Sequence, residues 1–305
     1  MKFTAKRLLA LFFLAAALLN CVPAEASSAD VSAAAAAVTA PSAPGTAAKS
    51  CARAAIDYSN AKDGYVMVRF SGSLSKRIRV QVKGPGGVTY TYDLTHNDWA
   101  VYPLSDGNGS YKVTVWENVQ SDKYAEVVSA SFKATLSSEF APYLRPNEYV
   151  DYTDAPNSVA KAAELAGGET DTLKKVEKIY EFVVTNFSYD RQRAASASKG
   201  QLSGYVPVLD SVLSEQRGIC YDYASLVTGM LRSQGVACKL IFGHAGKTYH
   251  AWISVWTDEG WVDAIYFDGS DWHRMDPTFA SSGKQSESIM KYIGDGKNYV
   301  QKYQY

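Results

Sequence analysis

Cysteine is scarce in this 305-residue chain, with only Cys21, Cys51, Cys220 and Cys238 present. So few thiols exclude a disulfide-stapled scaffold, and a chain of this length buries adequate cores without one. Histidine is equally sparse at four residues, and no close cysteine pair of metal-site spacing accompanies it. A zinc centre drawn from Cys220, Cys238, His244 and His250 is therefore disfavoured. No acidic loop has calcium-binding spacing, so no metal or cofactor is expected. Surplus charge is missing too, with 31 Lys and Arg against 31 Asp and Glu. Without a basic stripe, nucleic acid is not an expected partner.

Long apolar runs are confined to the first residues. Lys2, Lys6 and Arg7 precede the apolar run from Leu8 to Leu19, and Ala24-Glu25-Ala26 has small residues where a signal peptidase reads them. The run is too short and wrongly flanked for a stable membrane span, and residues 1–26 read as an export signal. Leu18-Leu19-Asn20-Cys21 resembles a lipoprotein cleavage box, although Asn20 departs from the small residue expected there. Membrane attachment is expected only if Cys21 is lipidated. Either route places the working protein outside the cytoplasm, secreted or associated with the cell envelope.

Composition then divides the chain. Residues 27–50 are nearly all Ala, Ser, Thr, Pro and Gly, and read as a flexible spacer. Residues 51–140 carry short alternating runs, at Tyr65 to Phe70, Arg77 to Lys83, Val88 to Leu94, Ser110 to Glu117 and Tyr124 to Ala134. Gly84-Pro85-Gly86-Gly87 and Gly107-Asn108-Gly109 supply turns. This pattern predicts an all-β sandwich resembling an immunoglobulin-like module. Its tyrosines (Tyr65, Tyr90, Tyr92, Tyr102, Tyr111, Tyr124) suit strand packing better than a ligand platform. A cell-envelope ligand for this module stays open as a partner.

Pro142, Pro146 and Pro156 mark a hinge into residues 141–305. Apolar spacing predicts helices over 158–166 and 171–187, the second capped by Thr170 or Asp171, then a polar loop over 196–204 and a short helix near 206–213. A helix following Cys220 is expected to end at Gly235. Strands are predicted near 239–243, 251–256, 260–265 and 272–275. This half is α+β, helices first and an antiparallel meander afterwards.

The residues with chemistry stand in order: Cys220 in Gly218-Ile219-Cys220-Tyr221-Asp222-Tyr223-Ala224, then His250-Ala251-Trp252, then Asp276-Pro277-Thr278. A thiol in the first turn of a helix feels the positive end of the dipole, which favours thiolate. A histidine can take its proton, and a carboxylate can orient the imidazole. Alternation puts His250 and Trp252 on one strand face, so Trp252 could wall the ring from water. Gly218 removes bulk where substrate must approach. Asp222 is adequately explained by the dipole, and Cys238 reads as a buried strand residue. A Cys51–Cys238 bridge is not decided by the sequence.

Residues Thr172 to Phe279 resemble the transglutaminase-like family, a relative of papain-type cysteine proteases, through these motifs together with Met230 to Val236, Gly243 and Trp261. The resemblance implies a papain-like α+β core, with Cys220 as nucleophile, His250 as base and Asp276 as orienting carboxylate. For the oxyanion, the Cys220 backbone N–H is a natural donor, and Gln216 or Tyr189 is a candidate side chain. The implied chemistry is acyl transfer from a protein or wall-peptide carbonyl through a thioester. Hydrolysis is favoured, protein-glutamine crosslinking is the runner-up, and a non-catalytic binding module is a third reading.

Overall fold

The computed structural model describes residues 40–257, 260–263, 265–267, 272–274 and 299–305. The segment read as an export signal, the first part of the expected spacer and Asp276 lie outside the described residues.

The first half is built from β1 (Ala48–Ser50), β2 (Ala54–Asp57), β3 (Tyr65–Phe70), β4 (Ile78–Lys83), β5 (Thr89–Leu94), β6 (Ala100–Pro103), β7 (Gly109–Gln120) and β8 (Lys123–Ala134). They form two four-stranded antiparallel sheets, ordered β1-β2-β3-β6 and β5-β4-β7-β8, whose apolar residues share one core. Alternation follows the sequence pattern. Ile78, Val80 and Val82 are buried while the intervening Arg79 and Gln81 stay half-exposed. Tyr65, Tyr90, Tyr92, Tyr102 and Tyr111 are buried, so they are strand packing and not a ligand platform. The Tyr111 hydroxyl donates back to the carbonyls of Leu104 (3.1 Å) and Gly107 (2.8 Å), pinning the turn before its own strand.

The end of the expected spacer differs from its reading. The amides of Gly45 and Ala47 donate to Asp57 Oδ2 (2.6 Å) and Ser59 Oγ (2.9 Å), and Ala48–Ser50 pairs with β2. Edge pairing uses main-chain groups, so a stretch with no apolar side chains can still be held. The proline-marked segment is likewise no loose hinge. Pro142 lies buried in a short 3₁₀ turn, Ala141–Tyr143, and the Tyr143 hydroxyl donates to the Ser105 carbonyl at 2.8 Å.

The second half begins with α1 (Pro156–Ala166) and α2 (Thr172–Asn186). Asp171 caps α2 as expected, accepting from the amides of Leu173 (2.8 Å) and Lys174 (3.2 Å). After β9 (Ser188–Tyr189) comes α3 (Arg191–Ser198), which overlaps the predicted polar loop. It has no buried residue, so hydrophobic periodicity could not reveal it; its signal is the cap Asp190. Then follow α4 (Leu209–Glu215), β10 (Arg217–Gly218) and α5 (Cys220–Ser233). Gly235 takes φ +75° just past α5, as the sequence predicts.

A sheet closes the fold. β11 (Cys238–Ala245), β12 (Thr248–Thr257) and β13 (Gly260–Asp263) form the expected meander, and β14 (Ile265–Phe267) pairs separately with β15 (Trp272–Arg274). The unpredicted β16 (Tyr299–Gln304) takes the other edge, giving the order β13-β12-β11-β16. Gly243 marks the closest approach in this sheet. A Cβ there would run into the Val300 carbonyl of β16 and meet the Trp252 ring at 2.7 Å. Gly243→Ala is expected to cost about 1–3 kcal/mol by overpacking, read as a lowered urea midpoint.

α5 packs on the face of the sheet that carries Cys238, Leu240 and Phe242 with their partners Val255, Ile253 and Ala251. The Cys238 sulfur sits 3.6 Å from Thr228 Oγ1 of α5, and burial pushes its thiol up to about 11. It is a packed hydrophobe with little thiolate. Cys51 is exposed and Cys238 is buried, and neither is in a disulfide.

Candidate active site

Two short parallel strands lead into the site. Ser188 and Tyr189 of β9 pair with Arg217 and Gly218 of β10, and the Asp190 amide donates to the Gly218 carbonyl at 2.8 Å. Gln216, just before, ends α4 in the left-handed region at φ +46°, an unusual conformation for a residue with a side chain. Its side chain is exposed, four residues ahead of the thiol. Tyr189 lies half-buried opposite Gly218. Gln216 and Tyr189 therefore both flank the entry to α5.

Cys220 is the first residue of α5, half-exposed at the end of a helix buried from Asp222 to Arg232. A partly accessible sulfur on a rigid, buried support is the arrangement that nucleophilic chemistry requires. Asp222 is more than a dipole-favoured surface acid. It is fully buried and takes hydrogen bonds from the Ile219 amide (2.7 Å), Arg193 Nη1 (3.3 Å) and the Tyr205 hydroxyl. The first of these is one half of a capping box and fixes the backbone immediately before the thiol. Gly218 also needs correction. A Cβ there would lie 2.5 Å from Asp222 Cβ, so the missing side chain makes room for Asp222 and not for substrate.

Further ion pairs surround this anchor. Arg193 Nη2 lies 3.2 Å from Glu215, and Arg217 Nη2 lies 3.1 Å from Asp190. The Arg193 amide, then Arg217, hold the Asp190 carboxyl below its usual range. Arg193 and Tyr205 were missed by sequence reasoning, because neither belongs to an apolar pattern and both act through a tertiary contact.

The sheet supplies the other wall. Tyr221 packs on Phe242 (ring centroids 5.0 Å apart), and Phe242 stacks with Tyr249 (6.2 Å). Burial raises the Tyr249 hydroxyl above its ordinary range, with Tyr303 and Cys220 near enough to add to the effect. Strand alternation then turns His250 to the opposite face. There its ring stacks on Trp252 at 6.4 Å and both rings meet Tyr299. His250 is 4% exposed and Trp252 1%, so both rings are buried. Cys220 and His250 thus come from adjoining elements, α5 and β12. Asp276 lies outside the described residues. Among the described residues, no three His, Cys, Asp or Glu side chains converge as a metal site.

The first half of the chain reaches this wall as well. Tyr92 of β5 packs on Tyr149 (5.1 Å), which meets Tyr221 (6.1 Å) and Tyr305 (4.7 Å). An aromatic relay therefore runs from the first half of the chain to the residue after Cys220.

Comparison with known proteins agrees with this core. The model of the transglutaminase-like superfamily matches residues 159–277. Uncharacterized proteins of Mycobacterium tuberculosis and Mycobacterium bovis are 26% identical to it over 184 residues, covering 56% of this chain and 51% of theirs. The chain thus spans about half the length of the curated relatives it matches. Among solved structures, one provisionally described as a cysteine protease of Cytophaga hutchinsonii has a TM-score of 0.40 at 14% identity, covering 85% of this chain and 73% of its own. Red sea bream transglutaminase has a TM-score of 0.29 at 12% identity, covering 78% and 55%.

Proposed function

We propose that this chain is an exported cysteine-dependent acyl-transfer enzyme that hydrolyses amide bonds in proteins or wall peptides. The observation that carries the reading is a half-exposed thiol at the first position of a buried helix, inside the segment that the model of the transglutaminase-like superfamily matches. The Cys220 sulfur attacks the carbonyl carbon while its proton passes to His250. The tetrahedral oxyanion collapses to a thioester, and the proton leaves with the amine or ammonia. Water, deprotonated by His250, then attacks the thioester, releasing the acid and restoring the thiol. Asp276 orients the imidazole. The Cys220 amide holds the oxyanion, with Gln216 or Tyr189 as the second donor. An amine in place of water would give protein-glutamine crosslinking.

The first half is read as an immunoglobulin-like module, supported by its two facing sheets and the Tyr111 corner. Its place beside an export signal suits binding to a cell-envelope ligand. Attachment to a membrane would need a lipid on Cys21; no helix among the described residues is long and apolar enough to cross one.

The second reading is a binding or scaffold module that keeps the family outline without turnover. Iodoacetamide separates the two. In a Cys51→Ser background, which removes the exposed thiol, Cys220 of an enzyme should alkylate with a pH midpoint well below the roughly 8.5 of free cysteine. His250→Ala should return the midpoint to that value. A midpoint already at the free value, indifferent to His250, would leave only the scaffold.

A further inference from the structure

We infer that Arg193 sets the charge state of Cys220 by neutralising the buried carboxylate of Asp222, a positioning role that rests on Cys220 being the nucleophile proposed above. Asp222 stands two residues after the thiol in the same helical turn and is fully buried. An uncompensated carboxylate there opposes the thiolate that the helix N-terminus favours, and burial weakens the screening of that opposition by water.

Three donors converge on it. The Ile219 amide and the Tyr205 hydroxyl are neutral, so only Arg193, with Nη1 3.3 Å from Asp222 Oδ2, brings a positive charge. Arg193 is held in place from two further sides, by Glu215 at 3.2 Å and by Asp190, whose Oδ2 lies 3.7 Å from Nε. The Arg193 ring-facing carbon sits 5.8 Å from the centre of the Tyr205 ring, which closes over the pair. Other titratable groups near the thiol are Arg217, paired with Asp190, the buried Tyr221, and Tyr249, His244 and His250 of the sheet. Among the described residues, Arg193 is the cation within ion-pair distance of Asp222. Asp222 thus fixes the backbone before the thiol through Ile219, and Arg193 offsets the charge of its carboxylate.

The test is the pH dependence of iodoacetamide alkylation at Cys220, in the full chain carrying Cys51→Ser. Arg193→Gln should raise the midpoint by about one pH unit, the shift expected for losing one nearby opposite charge. Arg193→Lys keeps the charge and should stay near the parent. Asp222→Asn keeps the shape and the Ile219 hydrogen bond, and should lower the midpoint. The double variant Arg193→Gln with Asp222→Asn should return toward the parent, since no carboxylate is left to neutralise. A merely structural role predicts something else, namely shifts of the same sign in both single variants together with loss of thermal stability. That outcome, or an unmoved midpoint in Arg193→Gln, overturns the inference. If Asp222→Asn does not fold, the contrast between Arg193→Gln and Arg193→Lys still decides it. A parent midpoint equal to that of free cysteine would instead bring down the nucleophile itself, a result that none of the Arg193 outcomes mimics.

Discussion

With Cys220 replaced by alanine, turnover should fall by roughly ten-thousand-fold or more while the fold persists. The size of the loss follows from removing the atom that forms the covalent intermediate, which in enzymes of this type leaves only background catalysis by the remaining site. The fold should persist because Cys220 is half-exposed at the first position of α5, and alanine is a good helix former there. Mass spectrometry of a casein or cell-wall digest incubated with parent and variant supplies the measurement. Cleavage products, a one-dalton change from ammonia release, or incorporated amine would each mark a different reaction. Equal product from parent and Cys220→Ala would remove this sulfur from any catalytic role.

The largest stability effect should come from Arg232, which lies at the far end of the same helix. Its guanidinium is buried, 3% exposed, and spans three carbonyls: Cys238 at 2.9 Å, Arg145 at 2.7 Å and Tyr305 at 2.6 Å. It therefore ties α5 to β11, to the segment joining the two halves, and to the residue after β16. Burial pulls its pKa down, but the carbonyl dipoles keep the site suited to a cation. Arg232→Met keeps the volume and strands three buried acceptors, so it should cost about 3–5 kcal/mol. Arg232→Lys should recover little, because an ammonium cannot reproduce the three-way planar fork. Urea unfolding measures the cost, and hydrogen exchange should show β16 opening first. A loss below about 1 kcal/mol in Arg232→Met would show that water satisfies the three carbonyls instead.

Much of the architecture was legible because side-chain periodicity reports which face is buried. The run at Ile78–Lys83 alternates apolar with polar, the run at Tyr65–Phe70 is apolar but for Arg69, and both fold as the strands they imply. Asp171 and Gly235 bound their helices by local backbone chemistry, a side-chain acceptor in one case and a left-handed φ in the other. The misses share a physical origin. The strand Ala48–Ser50 is held by main-chain pairing alone, and α3 has no apolar face, so neither leaves a trace in hydrophobic pattern. The pairing of β16 with β11 is a contact between distant segments that no local window contains.

The candidate site divides in the same way. Residue order along the chain determined that a cysteine opens a helix, that a histidine and a tryptophan share one strand face, and that the pattern is that of the transglutaminase-like superfamily. These are local matters, set by hydrogen bonding and alternation within a few residues. Only the tertiary structure decided that Asp222 is buried under Arg193 and Tyr205, and that a side chain at Gly218 would collide with that carboxylate. Those outcomes depend on how a helix is rotated against a sheet and which segment covers a charge, quantities set by packing many residues at once and carried by no single stretch of sequence.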